Sequence, residues 1–345
     1  MDQRTIFGFM PDGREVQCIR LIDGACVCEV LTYGAALRSL VVPDREGRPT
    51  DIVLGFDRIG DYIAHDAHFG GTVGRFANRI ARGKFTLNGE EYTLPCNDGP
   101  NHLHGGPDGF DRVLWTVEAV AANAVTLVLQ SPDGDMGYPG KMDVRVSYTL
   151  HDSALSIHYE AQSDRDTLCS LTNHAYFNLA GHDSGDVLHQ WLQMDASAYT
   201  PTNAELIPTG EVVPVADTPL DFTRPTRIGA RICEPFEALL LAGGYDHNYV
   251  IDCSDCAAAW SEDTGIRLRL STDRPGVQLY TGNFLGNTPS GKGDARYPKH
   301  GGFCLETQAF PDAANHPAFP SAVLKAGERF SSTTTYAFDT IGRER

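Results

Sequence analysis

The sequence predicts an all-β chain, a large antiparallel β-sandwich with very little helix. Three observations carry that reading. Apolar residues recur at every second position in several segments, a 3.6-residue period is almost absent, and 35 glycines and 20 prolines fall between strands as turn punctuation. A length of 345 residues suits two domains by size, yet large all-β folds run past about 250 residues as one unit. No linker, charge block or short repeat divides the chain. Residues 1–345 are therefore expected to form one domain whose two halves share a core.

Taken in order, Cys26-Val-Cys28 alternates like a strand, its thiols serving as small apolar filler. Phe85-Thr-Leu87 and Tyr92-Thr-Leu94 flank Asn88-Gly89, a hairpin signal because both turn residues accept positive φ. Val125-Thr-Leu-Val-Leu129 reads as the next strand. Met142, Val144, Val146, Tyr148 and Leu150 then alternate with Asp143, Arg145, Ser147 and Thr149. After a turn at His151-Asp-Ser153, Leu155, Ile157 and Tyr159 resume the alternation, so this is a hairpin with one buried face. Glu234 to Ala242 offers two helical turns. Ile266-Arg-Leu-Arg-Leu270, Val277-Gln-Leu-Tyr280 and the β-branched, aromatic run Ser331 to Phe338 complete the strands.

Composition narrows the function classes. Hydrophobic residues make up 41% and charged residues 21%, ordinary for a globular protein with a sizeable core. No apolar run approaches the ~20 residues that span a bilayer, and the start, Met1 to Gly8, lacks the basic-then-apolar pattern of a secretory signal. A cytoplasmic protein with no membrane partner is expected. Formal charge is 28 − 45 = −17, with a pI near 5.0, so nucleic acid is not an expected partner. Nine scattered cysteines read as free thiols. Cys253-Ser-Asp-Cys256 has the spacing of half a zinc site, but no second Cys-x-x-Cys or nearby His pair completes it.

Five segments concentrate polar chemistry. Gly74 to Gly83 sets Asn78 and Arg79 between glycines, either as donors to sugar hydroxyls or as partners for a carboxylate at the core edge. Neither phosphate-loop fingerprint is present. Asn101-His-Leu-His-Gly-Gly106 places His102 and His104 on one face of an extended segment, for hydrogen bonding in preference to metal. Leu171 to Leu179 interleaves Asn173, His174, Tyr176 and Asn178 with apolar residues, a pattern open to a binding site or to a satisfied core. Asp246, in Gly244-Tyr-Asp-His-Asn-Tyr249, is suited to two vicinal hydroxyls or to capping a turn. Gln278 points to the face opposite Val277 and Leu279, where its amide both donates and accepts. Finally Glu306 sits in a short apolar run, Phe303-Cys-Leu-Glu-Thr-Gln308, that breaks into Pro311, Asn315, Pro317 and Pro320. A carboxylate at the end of a buried strand suits a general base or a structural role.

This ordered set, together with Asp133 to Gly140 and Tyr280 to Phe284, resembles the aldose 1-epimerase (mutarotase) family across nearly the whole chain. The resemblance implies a galactose mutarotase-like β-supersandwich that holds a monosaccharide and uses no metal and no organic cofactor. It implies Glu306 as general base and His174 as general acid, with Asn78, Arg79, His104, Tyr176, Asp246 and Gln278 as the sugar-binding shell. The expected reaction interconverts α and β anomers of an aldohexose such as galactose or glucose, in a monomer or homodimer. Glu306 is expected to be ionised near neutrality, its reference pKa being ~4.3, whereas His174 needs help to stay protonated. Alternatives are a hexose-phosphate epimerase, with Arg75, Arg82 or Lys84 at the pocket mouth, a non-catalytic sugar-binding protein, or a glycosidase pairing Glu306 with Asp246. Asp252 to Thr264, with Cys253 and Cys256, matches no family motif.

Overall fold

The computed structural model describes residues 3–342; Met1, Asp2 and residues 343–345 lie outside it, and with them the first residues of the segment weighed as a leader. The all-β expectation holds. The largest sheet has nine strands in the hydrogen-bonded order Thr116–Ala121, Ala124–Ser131, Met142–His151, Ala154–Ser163, Arg329–Thr340, Ile266–Thr272, Asp255–Trp260, Trp191–Met194 and Thr226–Arg227. Every neighbouring pair in it is antiparallel. The Arg329–Thr340 strand lies at the centre, between one partner from the first half of the chain and one from the second. The unassigned stretch around Cys253 and Cys256 supplies the Asp255–Trp260 strand of this sheet.

Local rules explain the elements. Met142, Val144, Val146, Tyr148 and Leu150 are buried while their neighbours are not, as a sheet with one packed face requires. His151 pairs with Ala154, so the turn is two residues long, one fewer than expected. Asp152 and Ser153 take φ of 49° and 58°, the paired left-handed geometry that matches strand twist. Asn88 and Gly89 do the same at 53° and 81°, although their hairpin forms a separate two-stranded ribbon. The helix anticipated from Glu234 starts only at Glu237, after Pro235, and stops at Gly243 in the left-handed region. A second six-residue helix, Ile59–Ala64, buries Ile59 and Tyr62. It is too short to leave a readable period.

Two five-stranded sheets complete the layers. One holds Arg4–Phe9, Glu15–Asp23, Cys26–Leu31, Leu37–Pro43 and Pro49–Asp51; the other runs Val213–Pro214, Ala198–Tyr199, Asp246–Val250, Gly276–Tyr280, Cys304–Gln308. A single apolar cluster contains Ile19 and Leu21 of the first, Val146, Ile157 and Tyr336 of the large sheet, and Val277, Leu279 and Leu305 of the second. Burying each such side chain contributes roughly 1.5–3 kcal/mol. The second small sheet is also tied polar-to-polar: Tyr336 Oη donates to the Leu305 carbonyl at 3.1 Å, and the Thr307 and Thr334 hydroxyls are hydrogen-bonded. Because strand side chains alternate, seating Leu305 and Thr307 on the large sheet turns Cys304, Glu306 and Gln308 to the opposite face. That choice of face positions the site.

Candidate active site

On that outer face the register aligns polar groups across three strands. Asp246 is opposite Tyr280, which is opposite Cys304; Asn248 is opposite Gln278, which is opposite Glu306. Directly opposed residues share a face, so an acid, an amide and a second acid gather on one patch. The Gln278 amide donates to Asp246 Oδ1 at 2.6 Å, so one of its two N–H groups holds the carboxylate, and Gln278 is not among the residues lining the hollow.

His174 comes from the facing wall. It follows the short strand Thr172–Asn173, paired with Thr72–Val73, and its backbone is clamped twice: His174 N–H donates to Gly71 O and Gly70 N–H to His174 O, each at 2.9 Å. His174 Nε2 then lies 3.6 Å from Glu306 Oε1, with side chains 5% and 2% exposed. Its other nitrogen, Nδ1, is 3.5 Å from the Cys304 thiol. Of the other polar residues in this run, Tyr176 lines the hollow. Asn173 and Asn178 are scaffold, donating to backbone carbonyls of Gly70 and of Gly185 and Gly301.

Asn78 and His104 lock each other. Asn78 N–H donates to His104 Nδ1 at 3.2 Å and His104 N–H to Asn78 O at 3.0 Å. Both residues sit at positive φ, 65° and 53°. An accepting Nδ1 leaves the ring hydrogen on Nε2, so His104 is a donor. This bears on metal binding, because ligand atoms of His104, His174 and Glu306 lie within 4.8 Å of one another. An imidazole that accepts at one nitrogen and carries hydrogen on the other has no lone pair left for an ion, which favours hydrogen bonding. Arg79 pairs with carboxylates and also borders the hollow: Nε donates to Asp98 at 2.8 Å, while Nη1 stands 4.0 Å from Asp246.

The two histidines of the 101–106 segment do not share a face. The strand there is only His102–Leu103, and the left-handed turn at His104 sends the two rings apart. Buried His102 bonds Pro95 O at 2.7 Å and the Tyr138 hydroxyl at 2.8 Å, so it is structural. Arg75 is also structural, its guanidinium bonded to Ser131, Pro132, Pro139 and Gly140. Arg82 and Lys84 are exposed partners of Glu205 and Glu91. Arg79 is the only arginine or lysine lining the hollow among the described residues, so no basic cluster for a sugar phosphate stands at its mouth. All nine cysteines are free, Cys253 exposed and Cys256 buried.

Burial drives the ionisable groups toward neutrality. It pushes the Glu306 carboxyl well above the usual range, helped by Asp246 and opposed by Arg79. Burial likewise raises Asp246 against the pull of Arg79 and Gln278. His174 is lowered to about 3 by burial and then by His68, and His104 is lowered well below its usual value by burial and by His68, His174 and Arg79. Low-dielectric surroundings thus disfavour both the ionised carboxylate expected at Glu306 and the protonated imidazole that His174 needs help to keep.

The hollow between these walls measures ≈ 150 Å³. Sequence reasoning missed part of its lining: His65 to His68 on one side, Tyr280, Phe284 and Leu285 on the other. Phe284 is 69% exposed at the rim. His68 packs its ring 4.9 Å from His104 and 5.6 Å from His174. Its signal was available, since His68 precedes Gly70-Gly71 much as His104 precedes Gly105-Gly106.

A family model for aldose 1-epimerase matches residues 17–337. The chain is 44% identical over 340 residues to galactose mutarotase from Bos taurus, spanning 97% of this chain and 98% of that protein. It is 36% identical over 337 residues to aldose 1-epimerase from Escherichia coli (strain K12), spanning 95% and 96%. Among solved structures, an aldose epimerase homologue from C. elegans superposes with a TM-score of 0.88 at 32% identity, over 94% of this chain and 99% of that one.

Proposed function

The chain belongs to the aldose 1-epimerase family and is an isomerase of that kind; from that premise we propose that it interconverts the α and β anomers of an aldohexose such as galactose or glucose, with Glu306 and His174 moving the protons. The observation that supports this most is the 3.6 Å approach of Glu306 and His174 at the wall of a hollow.

Ring opening removes the proton from O1, breaks the C1–O5 bond so that its electron pair goes to O5, and delivers a proton there. Glu306 takes the first proton and His174 supplies the second. The C1–C2 bond rotates, and closure on the other carbonyl face runs the transfers backwards. Before opening the pair is carboxylate and imidazolium; afterwards it is carboxylic acid and imidazole, with the same net charge. Burial favours the second arrangement, so the charged pair costs free energy to form from the resting protein, and its neutralisation returns that cost as the ring opens. Each proton transfer is worth about 10²–10⁴-fold.

The remaining residues bind. Asp246, oriented by Gln278 and Arg79, accepts from vicinal hydroxyls; His104 donates through Nε2–H; Asn78 and Tyr176 border the same space. The absence of a basic cluster among the described lining residues favours a neutral sugar over a phosphorylated one. Nine free thiols accord with a reducing compartment, and we assign the protein to the cytoplasm, as a monomer or homodimer. No helix among the described residues is long and apolar enough to cross a membrane. The experiment is polarimetry on freshly dissolved α-D-glucose and α-D-galactose: rotation should relax faster than in buffer, and no acceleration on either sugar rejects the reading.

A further inference from the structure

Beside the acid–base pair stands a third imidazole that the mechanism leaves unused, and it is held as a functional group would be. His68 Nδ1 lies 2.7 Å from Asp111 Oδ2, with side chains 13% and 4% exposed. Asp111 sits in the short turn Phe110–Arg112, and the fold makes room for it. A Cβ at Gly71 would come within 2.6 Å of Asp111 Cβ, and one at Gly34 within 2.3 Å of the Asp111 carbonyl oxygen. His68 itself adopts a φ of 54° and its carbonyl accepts from Gly71 N–H at 2.9 Å, so backbone and side chain are both anchored.

A carboxylate oxygen on Nδ1 dictates the ring's polarity. Nδ1 carries hydrogen and donates to Asp111, which leaves Nε2 as the nitrogen free to meet a ligand. The ring borders the hollow and packs against both His104 and His174. The neighbouring His104 offers the opposite polarity, a donor at Nε2. Adjacent acceptor and donor imidazoles match the two faces of a hydroxyl group, which donates and accepts at once.

We propose that His68, oriented by Asp111, is a substrate-binding residue that accepts a hydrogen bond from one particular hydroxyl of the sugar and so contributes to which aldoses the enzyme takes. The inference rests on the aldose 1-epimerase reading of the same hollow. Asp111 is its positioning residue, acting only through the imidazole.

The test is initial-rate polarimetry of wild type, His68→Phe, Asp111→Leu and the double variant, on D-glucose and D-galactose and on their 2-, 3-, 4- and 6-deoxy analogues. Phenylalanine keeps the ring packing and removes both nitrogens, and thermal melts check the fold. Loss of one neutral hydrogen bond should raise KM about fivefold to tenfold for the parent sugars with kcat changed less than threefold. For a single deoxy analogue the wild type and His68→Phe should share one KM, because the partner hydroxyl is missing. Asp111→Leu should raise KM comparably, the double variant no further, and Asp111→Asn, which keeps an oxygen for Nδ1–H, should stay within threefold of wild type. An unchanged KM in His68→Phe, or an equal rise on every deoxy analogue, overturns the assignment. Should Asp111→Leu fail to fold, the His68→Phe series alone decides. A wild type inactive on all sugars would instead sink the epimerase reading, so the two failures are distinguishable.

Discussion

Replacing Glu306 with glutamine separates catalysis from stability at a single atom pair. The side chain is 2% exposed, and burial lifts its carboxyl well above the ordinary range, so at mildly acidic pH the folded protein already carries a neutral group there. Glutamine has the same shape and no charge. Stability should therefore change by less than about 1 kcal/mol at mildly acidic pH. The difference should then grow with pH. The unfolded chain releases this proton near ~4.3 while the folded chain retains it, so wild-type stability falls as pH rises from there until Glu306 ionises in the folded state. The slope is ~1.4 kcal/mol per pH unit, and glutamine removes it. Activity should move the other way. Without the base, mutarotation should slow by about 10²–10⁴-fold, or roughly 3–5 kcal/mol of barrier. Polarimetry supplies the rate, and urea titrations at stepped pH supply the stability. Turnover within threefold of wild type, or a stability advantage that does not increase with pH, refutes the reasoning.

His174 gives the mirror-image dependence. Its folded value of about 3 lies below the ~6.5 of the unfolded chain, so its stabilising contribution is complete above that value and lost as pH falls toward 3, on the order of 5 kcal/mol in all. Urea titrations of His174→Asn should lack that slope, and an identical slope would show the ring to be ordinarily solvated. Galactose 6-phosphate should be turned over at least about tenfold less efficiently than galactose, because Arg79 is already committed to Asp98 and Asp246; equal kcat/KM would point to a phosphate site elsewhere at the mouth. We propose that the chain folds as one unit, since one apolar cluster draws on all three large sheets. Calorimetry should then show a single transition with equal calorimetric and van't Hoff enthalpies, and two resolved transitions would contradict it.

How far the chain can be read without coordinates depends on the range of the interactions. Alternation in Met142 to Leu150 and the Asn88-Gly89 turn are local and were legible because a pleated strand with one buried face leaves a two-residue period in the residues themselves. The six-residue helix Ile59–Ala64 was not legible, since two buried side chains make no period. At the site, residue types that converge on sugar chemistry were visible as segments. Their division of labour was not. His102 and His104 look equivalent in sequence, and a left-handed φ at one residue parts them. Asn173 and Asn178 look like ligands and are bonded to backbone. The proton affinities of Glu306 and His174 follow from burial by strands more than a hundred residues apart, which no window of sequence contains.

The measurement that bears most directly on the account is a double-mutant cycle in mutarotation rate: wild type, Glu306→Gln, His174→Asn and the two together, read by polarimetry on α-D-galactose at neutral pH. Groups that pass protons through one sugar act as a unit, so the double variant should be no more than about threefold slower than the slower single variant. Losses that multiply, each substitution slowing the reaction by the same factor whether or not the other is present, would mean the two side chains work independently and would contradict the shared proton pair.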